Sequence, residues 1–101
     1  MLGEYSKVAI IKTNTKLTDG NGYVNTIIPL NLEFTPKYII AVCQKNRETR
    51  FDSIVYPFNV NQNTNSFGYN IMGYIFNVSN KEFTISAVGA DNYVKEIIAI
   101  S

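Results

Sequence analysis

Histidine is absent from this chain of 101 residues, and cysteine occurs only once. The missing histidine removes the commonest general base and zinc ligand of proteins. Cys43 alone cannot form a disulfide within the chain, and its place in the apolar stretch YIIAVC favours burial over reactivity. These absences predict a domain whose stability comes from packing or from assembly, and which has no metal site, no cofactor and no catalytic residue.

Charge of either sign is also scarce. Charged residues make up 17% of the chain, the formal net charge is +1, and the lysines and arginines form no basic run. Nucleic acids and anionic membranes normally attract a basic face, so neither is predicted as a partner. No apolar run approaches the roughly 20 residues of a spanning helix, which argues against membrane insertion. The opening MLGEYSK lacks the features of a signal peptide, so we expect synthesis in the cytoplasm without one.

What remains is a globular composition with a β pattern. Hydrophobic residues make up 46% of the chain, and the length suits one domain over residues 1–101, with residues 1–5 as a flexible start. Short apolar or alternating stretches are separated by turn residues, as in TDGNG, SNK and GADN. No stretch favours a helix. The pattern predicts an all-β fold, a small antiparallel β-sandwich of about six to eight strands.

Two stretches, YIIAVC and EIIAI, are apolar on both faces of the predicted strand. A half-exposed antiparallel sheet should alternate instead. Either these strands are central in a sandwich whose outer face is covered, or they contact another subunit. Because a small domain has few elements to spare for covering an outer face, we expect self-association.

The acidic residues do not form an obvious catalytic constellation. Glycoside hydrolysis needs only two carboxylates that face each other across a cleft. Asp52 with Asp91 or Glu48 is the pair that a hydrolase would use, but nothing in the spacing demands it. We therefore expect a protein that is not an enzyme, with solvated surface acids.

The stretch FNVNQNTNSFGYN, from Phe58 to Asn70, offers chemistry for binding. Asparagine occupies every second position from residue 59 to residue 65. Amide side chains both donate and accept hydrogen bonds, and tyrosine rings present a flat apolar face, so together they suit a sugar. The alternative is a polar loop tip whose asparagines are filler and whose Tyr69 is in the core. The predicted ligand-binding residues are Tyr56, Asn61, Asn63, Asn65 and Tyr69.

One segment, IIPLNLEFTPKYIIAV from Ile27 to Val42, resembles the small C-terminal domains of phage and prophage tail proteins. An apolar strand, the phrase Phe-Thr-Pro-Lys-Tyr and a β-branched strand carry the resemblance. The ending FTISAVGADNYVKEIIAIS is similar to the last two strands of those domains. The resemblance spans about Val8 to Ser101, and it implies that Phe34 plugs the sandwich and that Pro36 stops a strand.

Such tail domains resemble H-type lectin modules, which are antiparallel sandwiches that assemble as homotrimers. The resemblance implies a receptor-binding domain on a tail fibre or baseplate of the virion. Its implied partners are its own copies, other tail proteins and a host cell-surface receptor, often carbohydrate. Two alternatives stay open: a purely structural trimeric tail protein without a ligand, and a tail-associated polysaccharide hydrolase.

Overall fold

Seven β-strands make up the regular structure of the described part of the chain. A computed structural model describes residues 6–17, 24–46, 49, 51–57, 73–87 and 91–101. The expected flexible start at residues 1–5 lies outside this description. The strands are β1 (Val8–Lys16), β2 (Val24–Pro29), β3 (Tyr38–Lys45), β4 (Phe51–Tyr56), β5 (Gly73–Phe76), β6 (Glu82–Ala87) and β7 (Asn92–Ile100).

The strands form two sheets, and every observed strand pairing is antiparallel. One sheet has four strands in the order β1-β7-β3-β4, and the other has three in the order β2-β6-β5. The predicted all-β fold and the small antiparallel sandwich are therefore confirmed. None of the described segments forms a helix that is long and apolar enough to cross a bilayer.

The core lies between the sheets and follows the alternation of the sequence. In β6, Phe83 and Ile85 are fully buried and face the other sheet, and in β2 Ile28 lies directly opposite Phe83. Each large apolar side chain that is fully buried stabilises the folded state by about 1.5–3 kcal/mol relative to an exposed one. Pro29 ends β2, which is an edge strand, as expected of a residue that cannot donate to a ladder.

A β-bulge in β7 changes which side chains reach this core. Val94 and Ile97 are both buried although they are three positions apart along the strand, where strict alternation would place them on opposite faces. The pairing of β7 with β3 shifts by one residue, because Val42 lies opposite Glu96 whereas Cys43 lies opposite Val94. The extra residue, Lys95, reverses the alternation, as bulges do. The bulge lets the chain bury an apolar residue on each side of Lys95 and Glu96.

The two stretches with apolar residues on both faces became the central strands of the larger sheet. YIIAVC lies in β3 and EIIAI in β7, and these two strands are paired with each other. Their inward residues Ile39, Ala41, Ile97 and Ala99 are completely buried. The central position is thus confirmed, and the outward residues of the same strands are described with the candidate surfaces below.

The connection from β2 to β3 is anchored to the turn before β6. The backbone N–H of Leu30 donates to the carbonyl of Lys81, and the N–H of Leu32 donates to the carbonyl of Asn80, both at 2.7 Å. Pro36 is buried at the end of this connection. Phe34 is only half-buried and is not among the buried core residues, so the expectation that it plugs the sandwich is corrected. Leu32 packs against the core instead.

Candidate functional site

Tyr56 is the one predicted ligand-binding residue that lies in the described part of the chain. It ends β4, opposite Ile39, and its half-buried ring packs against the hydrophobic core. It is followed by a cis peptide bond to Pro57, which is exposed. Packing of this kind fixes the ring and leaves part of it accessible, so Tyr56 is positioned more rigidly than a loop residue would be.

The rest of the predicted site lies outside the described residues, namely Asn61, Asn63, Asn65 and Tyr69. The flanking strands β4 and β5 belong to different sheets, so they do not form a paired hairpin among the described residues. Ligand contact by this stretch therefore stays a prediction.

The acids of the hydrolase alternative occupy unlike environments. Asp52 lies on the inward face of β4, only 7% exposed, and its Oδ1 accepts the backbone N–H of Ser53 at 2.9 Å. Asp91 lies in an exposed turn, where its Oδ1 is 4.0 Å from Nζ of Lys16. Glu48 lies outside the description. The structure therefore gives Asp52 a buried neighbourhood and Asp91 a solvated one.

Cys43 is the residue directly opposite Asp52 in the pairing of β3 with β4. Its side chain is completely buried, and Sγ lies 3.7 Å from the carbonyl oxygen of Ala41, to which it donates. Burial, and secondarily the negative charge of Asp52, raise the pKa of the Cys43 thiol from 9.0 to about 12. Because the thiolate is the nucleophile and the metal-binding form, this cysteine is inert near neutral pH.

Metal binding finds no support in the part of the chain that the structure describes. Nowhere in residues 6–17, 24–46, 49, 51–57, 73–87 and 91–101 do three acidic or cysteine side chains converge on one point. Cys43 and Asp52 lie side by side in the core, but two such side chains are fewer than a metal site needs.

An exposed apolar surface is the most distinctive feature of the described residues. On the outward face of the four-stranded sheet, Ile10 lies opposite Ile98, which lies opposite Ile40, which in turn lies opposite Val55. A second row across three strands joins Val8, Ile100 and Tyr38. We call these seven residues the apolar patch: Val8, Ile10, Tyr38, Ile40, Val55, Ile98 and Ile100.

Exposure within the apolar patch is greatest at its edge. Val8, Ile10 and Tyr38 are 58%, 60% and 52% exposed, while Ile40, Val55, Ile98 and Ile100 are half-buried by their neighbours. Large contiguous apolar surfaces are uncommon on soluble monomers and usually mark an interaction site. Sequence reasoning identified the doubly apolar strands in advance. It did not identify β1, whose apolar residues complete the patch.

The other half of the same sheet face is mixed in character, and an ion pair marks the border. Nζ of Lys12 lies 2.6 Å from Oε1 of Glu96, one row beyond Ile10 and Ile98. Farther along, Lys95 donates to the side-chain carbonyl of Asn14, and its Nζ lies 5.1 Å from the centroid of the Tyr93 ring. Phe51, the first residue of β4, lies opposite Gln44, which lies opposite Tyr93, and Phe51 is 51% exposed. Along the strand direction, the outward face thus passes from the apolar patch to a half that mixes charged, polar and aromatic side chains.

The three-stranded sheet presents a different outer surface. Tyr74 and Phe76 of β5 lie side by side with ring centroids 5.2 Å apart, and Ile27 of β2 is 59% exposed. Between them, on β6, the outward residues Ser86 and Thr84 are almost completely buried. This face has fewer aliphatic residues than the apolar patch and contains small hydroxyl side chains at its centre.

Comparison of the chain with protein-family models, with curated proteins and with solved structures finds no match.

Proposed function

We propose that this chain is the receptor-binding domain of a phage or prophage tail protein, which assembles as a homotrimer and attaches the virion to the host cell surface through carbohydrate. The observation that carries the proposal is the apolar patch on the outward face of a seven-stranded sandwich. It supports self-association, which the resemblance of Ile27 to Val42 to tail-protein domains specifies as three copies.

Recognition of a sugar is assigned to Tyr56 and to Asn61, Asn63, Asn65 and Tyr69. The support is chemical: an accessible tyrosine ring offers a flat apolar contact, and amides match the donors and acceptors of sugar hydroxyls. A single site of this kind is weak. Three copies in one assembly, and many assemblies on one particle, raise the effective affinity without any new contact.

Host-cell adsorption and a glycan array test this function directly. We expect the wild-type chain to bind cells and a subset of glycans, and the triple variant N61S/N63S/N65S to lose at least tenfold in both assays. Asn25→Ser is the matched control, because Asn25 is an exposed asparagine on β2, outside the proposed site. If the folded triple variant binds as well as wild type, recognition does not depend on these three asparagines.

A second candidate function, a structural tail protein without a ligand, is favoured by the same apolar patch. Self-association needs no receptor, and a cap or connector would also bury an apolar sheet face. A stable trimer that binds neither host cells nor any glycan on the array would favour this candidate.

The proposal includes no enzymatic activity, and this part has its own test. D52N/D91N should leave any processing of host polysaccharide unchanged, because there is no turnover to lose. A measurable release of oligosaccharide by the wild-type chain that disappears in a folded D52N/D91N variant would establish the hydrolase instead.

A further inference from the structure

We infer that a second copy of this chain covers the apolar patch and that the contact core ends at the ion pair of Lys12 and Glu96. This inference rests on the self-association in the proposed function and assigns it to one face of one sheet. Three observations carry it: the exposure of the patch, its size, and the charges around it.

The exposure shows that the described residues of the chain leave the edge of the patch uncovered. Val8, Ile10 and Tyr38 are each more than half exposed, and they come from two strands, β1 and β3, that flank β7. Single apolar residues on a surface are ordinary, but two complete rows that cross three and four strands are not. A partner that presents a similar apolar surface removes this area from water.

The size of the patch suits the core of an interface. The strands are about 4.8 Å apart and each row occupies about 7 Å of strand, so one row across four strands and one across three give a projected area of roughly 235 Å². A standard stable interface buries about 800 Å² per partner and consists of an apolar core within a polar rim. The patch therefore supplies about a third of the required area. Exposed polar residues beside it, Lys7, Lys12 and Lys37, are placed to supply the rim.

The charges favour another copy over a charged partner. All seven residues of the patch are uncharged, and the nearest row contains a lysine whose charge is balanced by Glu96 at 2.6 Å. The formal net charge of +1 adds little long-range repulsion between two copies. The local repulsion comes from Lys7 and Lys37, which are exposed beside the patch and can point away from it into water. A face that paired with a strongly acidic or basic partner would carry charge of the opposite sign, which the apolar patch does not.

A matched pair of exposed isoleucines tests the inference. Ile10, in the patch, is 60% exposed, and Ile27, on the outer face of the other sheet, is 59% exposed. Glutamate at either position remains in water in a single chain, so both variants should fold. At a contact between copies, the glutamate of Ile10→Glu would be a buried charge without a partner, which strongly disfavours assembly.

Sedimentation equilibrium at micromolar concentration should show wild type and Ile27→Glu as the same assembly. Ile10→Glu should raise the dissociation constant at least tenfold and shift the mass towards a single chain. Circular dichroism checks that both variants keep the β fold. The inference is overturned if Ile10→Glu assembles like wild type, if Ile27→Glu alone dissociates, or if wild type is a single chain at these concentrations.

Failure of this inference is distinguishable from failure of the proposed function. Binding of beads densely coated with each variant to host cells measures recognition without requiring assembly in solution. If the chain assembles through the patch but binds neither cells nor glycans, the proposed function is wrong and the inferred interface stands. Cell binding by beads, combined with an assembly that Ile10→Glu does not weaken, would overturn the interface and support recognition.

Discussion

At the scale of single residues, the Cys43 thiol shows how position determines chemistry. A thiol in water ionises a little above neutral pH, but Cys43 is enclosed by the core and lies opposite the carboxylate of Asp52. Both influences disfavour the thiolate, and burial is the larger. The pKa of the Cys43 thiol accordingly rises to about 12.

The raised pKa of Cys43 predicts a loss of stability in alkali. Below pH 9 the thiol is protonated in both the folded and the unfolded chain, so its contribution does not change. Between pH 9 and about 12 the unfolded chain releases the proton while the folded chain retains it, and the free energy of unfolding falls by roughly 1 kcal/mol per pH unit. Urea unfolding at pH 7.5 and pH 10 measures this.

Cys43→Ala is the control for that measurement. The alanine variant loses packing at every pH, but it lacks the titrating thiol, so its free energy of unfolding should fall less between the two pH values. All other ionisable groups are common to the two proteins, so the difference between their pH dependences isolates the thiol. Equal pH dependence in wild type and variant would contradict a buried, protonated thiol.

A second residue-scale prediction concerns Gly73, the first residue of β5. A Cβ atom placed there would lie 2.3 Å from the backbone carbonyl oxygen of Ser86, and backbone cannot move aside cheaply. Gly73→Ala should therefore reduce the free energy of unfolding by about 1–3 kcal/mol. Asn25→Ala, at an exposed position of the same sheet, should change it by less than about 0.5 kcal/mol. Similar urea midpoints for the two variants would show that β5 adjusts without strain.

At the scale of elements, the turn before β6 depends on one hydroxyl. Oγ of Ser79 accepts the backbone N–H groups of Lys81 at 3.1 Å and Glu82 at 3.3 Å. The same turn receives the connection between β2 and β3 through the carbonyl of Lys81. The hydroxyl thus stabilises the turn together with the backbone bond from the N–H of Ser79 to the carbonyl of Glu82, and the backbone of the turn anchors the connection.

Ser79→Ala should lower the free energy of unfolding by about 1 kcal/mol, since two backbone donors lose their acceptor and only water can replace it. Lys81→Ala, at the exposed position two residues later, is the matched control and should change stability by less than about 0.5 kcal/mol. Thermal and urea unfolding measure both. A Ser79→Ala variant as stable as wild type would mean that the backbone bonds alone determine the turn.

The alternation of apolar and polar residues along the sequence predicted the strands well but could not predict the bulge in β7. The side chains of β2 and β6 face the core at every second residue, as the apolar pattern indicates. In β7 the pattern breaks at Lys95 and Glu96, and a reader of EIIAI alone cannot tell which isoleucine points inward. The answer depends on pairing with β1 and β3, which lie far away in sequence. Register between distant strands is a tertiary property, so local pattern leaves it open.

The candidate surfaces show the same division between local and distant information. The apolar residues of β3 and β7 are visible as a pattern, because each strand is apolar on both faces. The patch itself requires Val8 and Ile10 to lie beside Ile100 and Ile98, contacts between the two ends of the chain. Asp52 shows the opposite case. From the sequence it is expected to be a solvated surface acid, but it lies on the inward face of β4 and is buried beside Cys43.

At the scale of the whole molecule, assembly through the apolar patch couples stability to concentration. When assembly stabilises the folded chain, dilution favours unfolding by mass action, and the effect is largest when the separate chain is much less stable than the assembly. A domain of this length unfolds with an enthalpy of about 70 kcal/mol per chain. For a trimer, a tenfold increase in protein concentration should then raise the melting temperature by about 5 °C, and for a dimer by about 4 °C.

Differential scanning calorimetry from about 5 to 500 µM checks this dependence. Wild type and Ile27→Glu should both melt at higher temperature as concentration rises, because both retain the apolar patch. The melting temperature of Ile10→Glu should rise less over this range, because a single chain unfolds without a change in the number of particles and this variant contains more single chains. Reversibility is confirmed by a second scan, and aggregation after unfolding is checked by light scattering. A wild-type melting temperature that stays constant over this hundredfold range would mean that the sandwich is stable without a partner and that the apolar patch contributes nothing to folding.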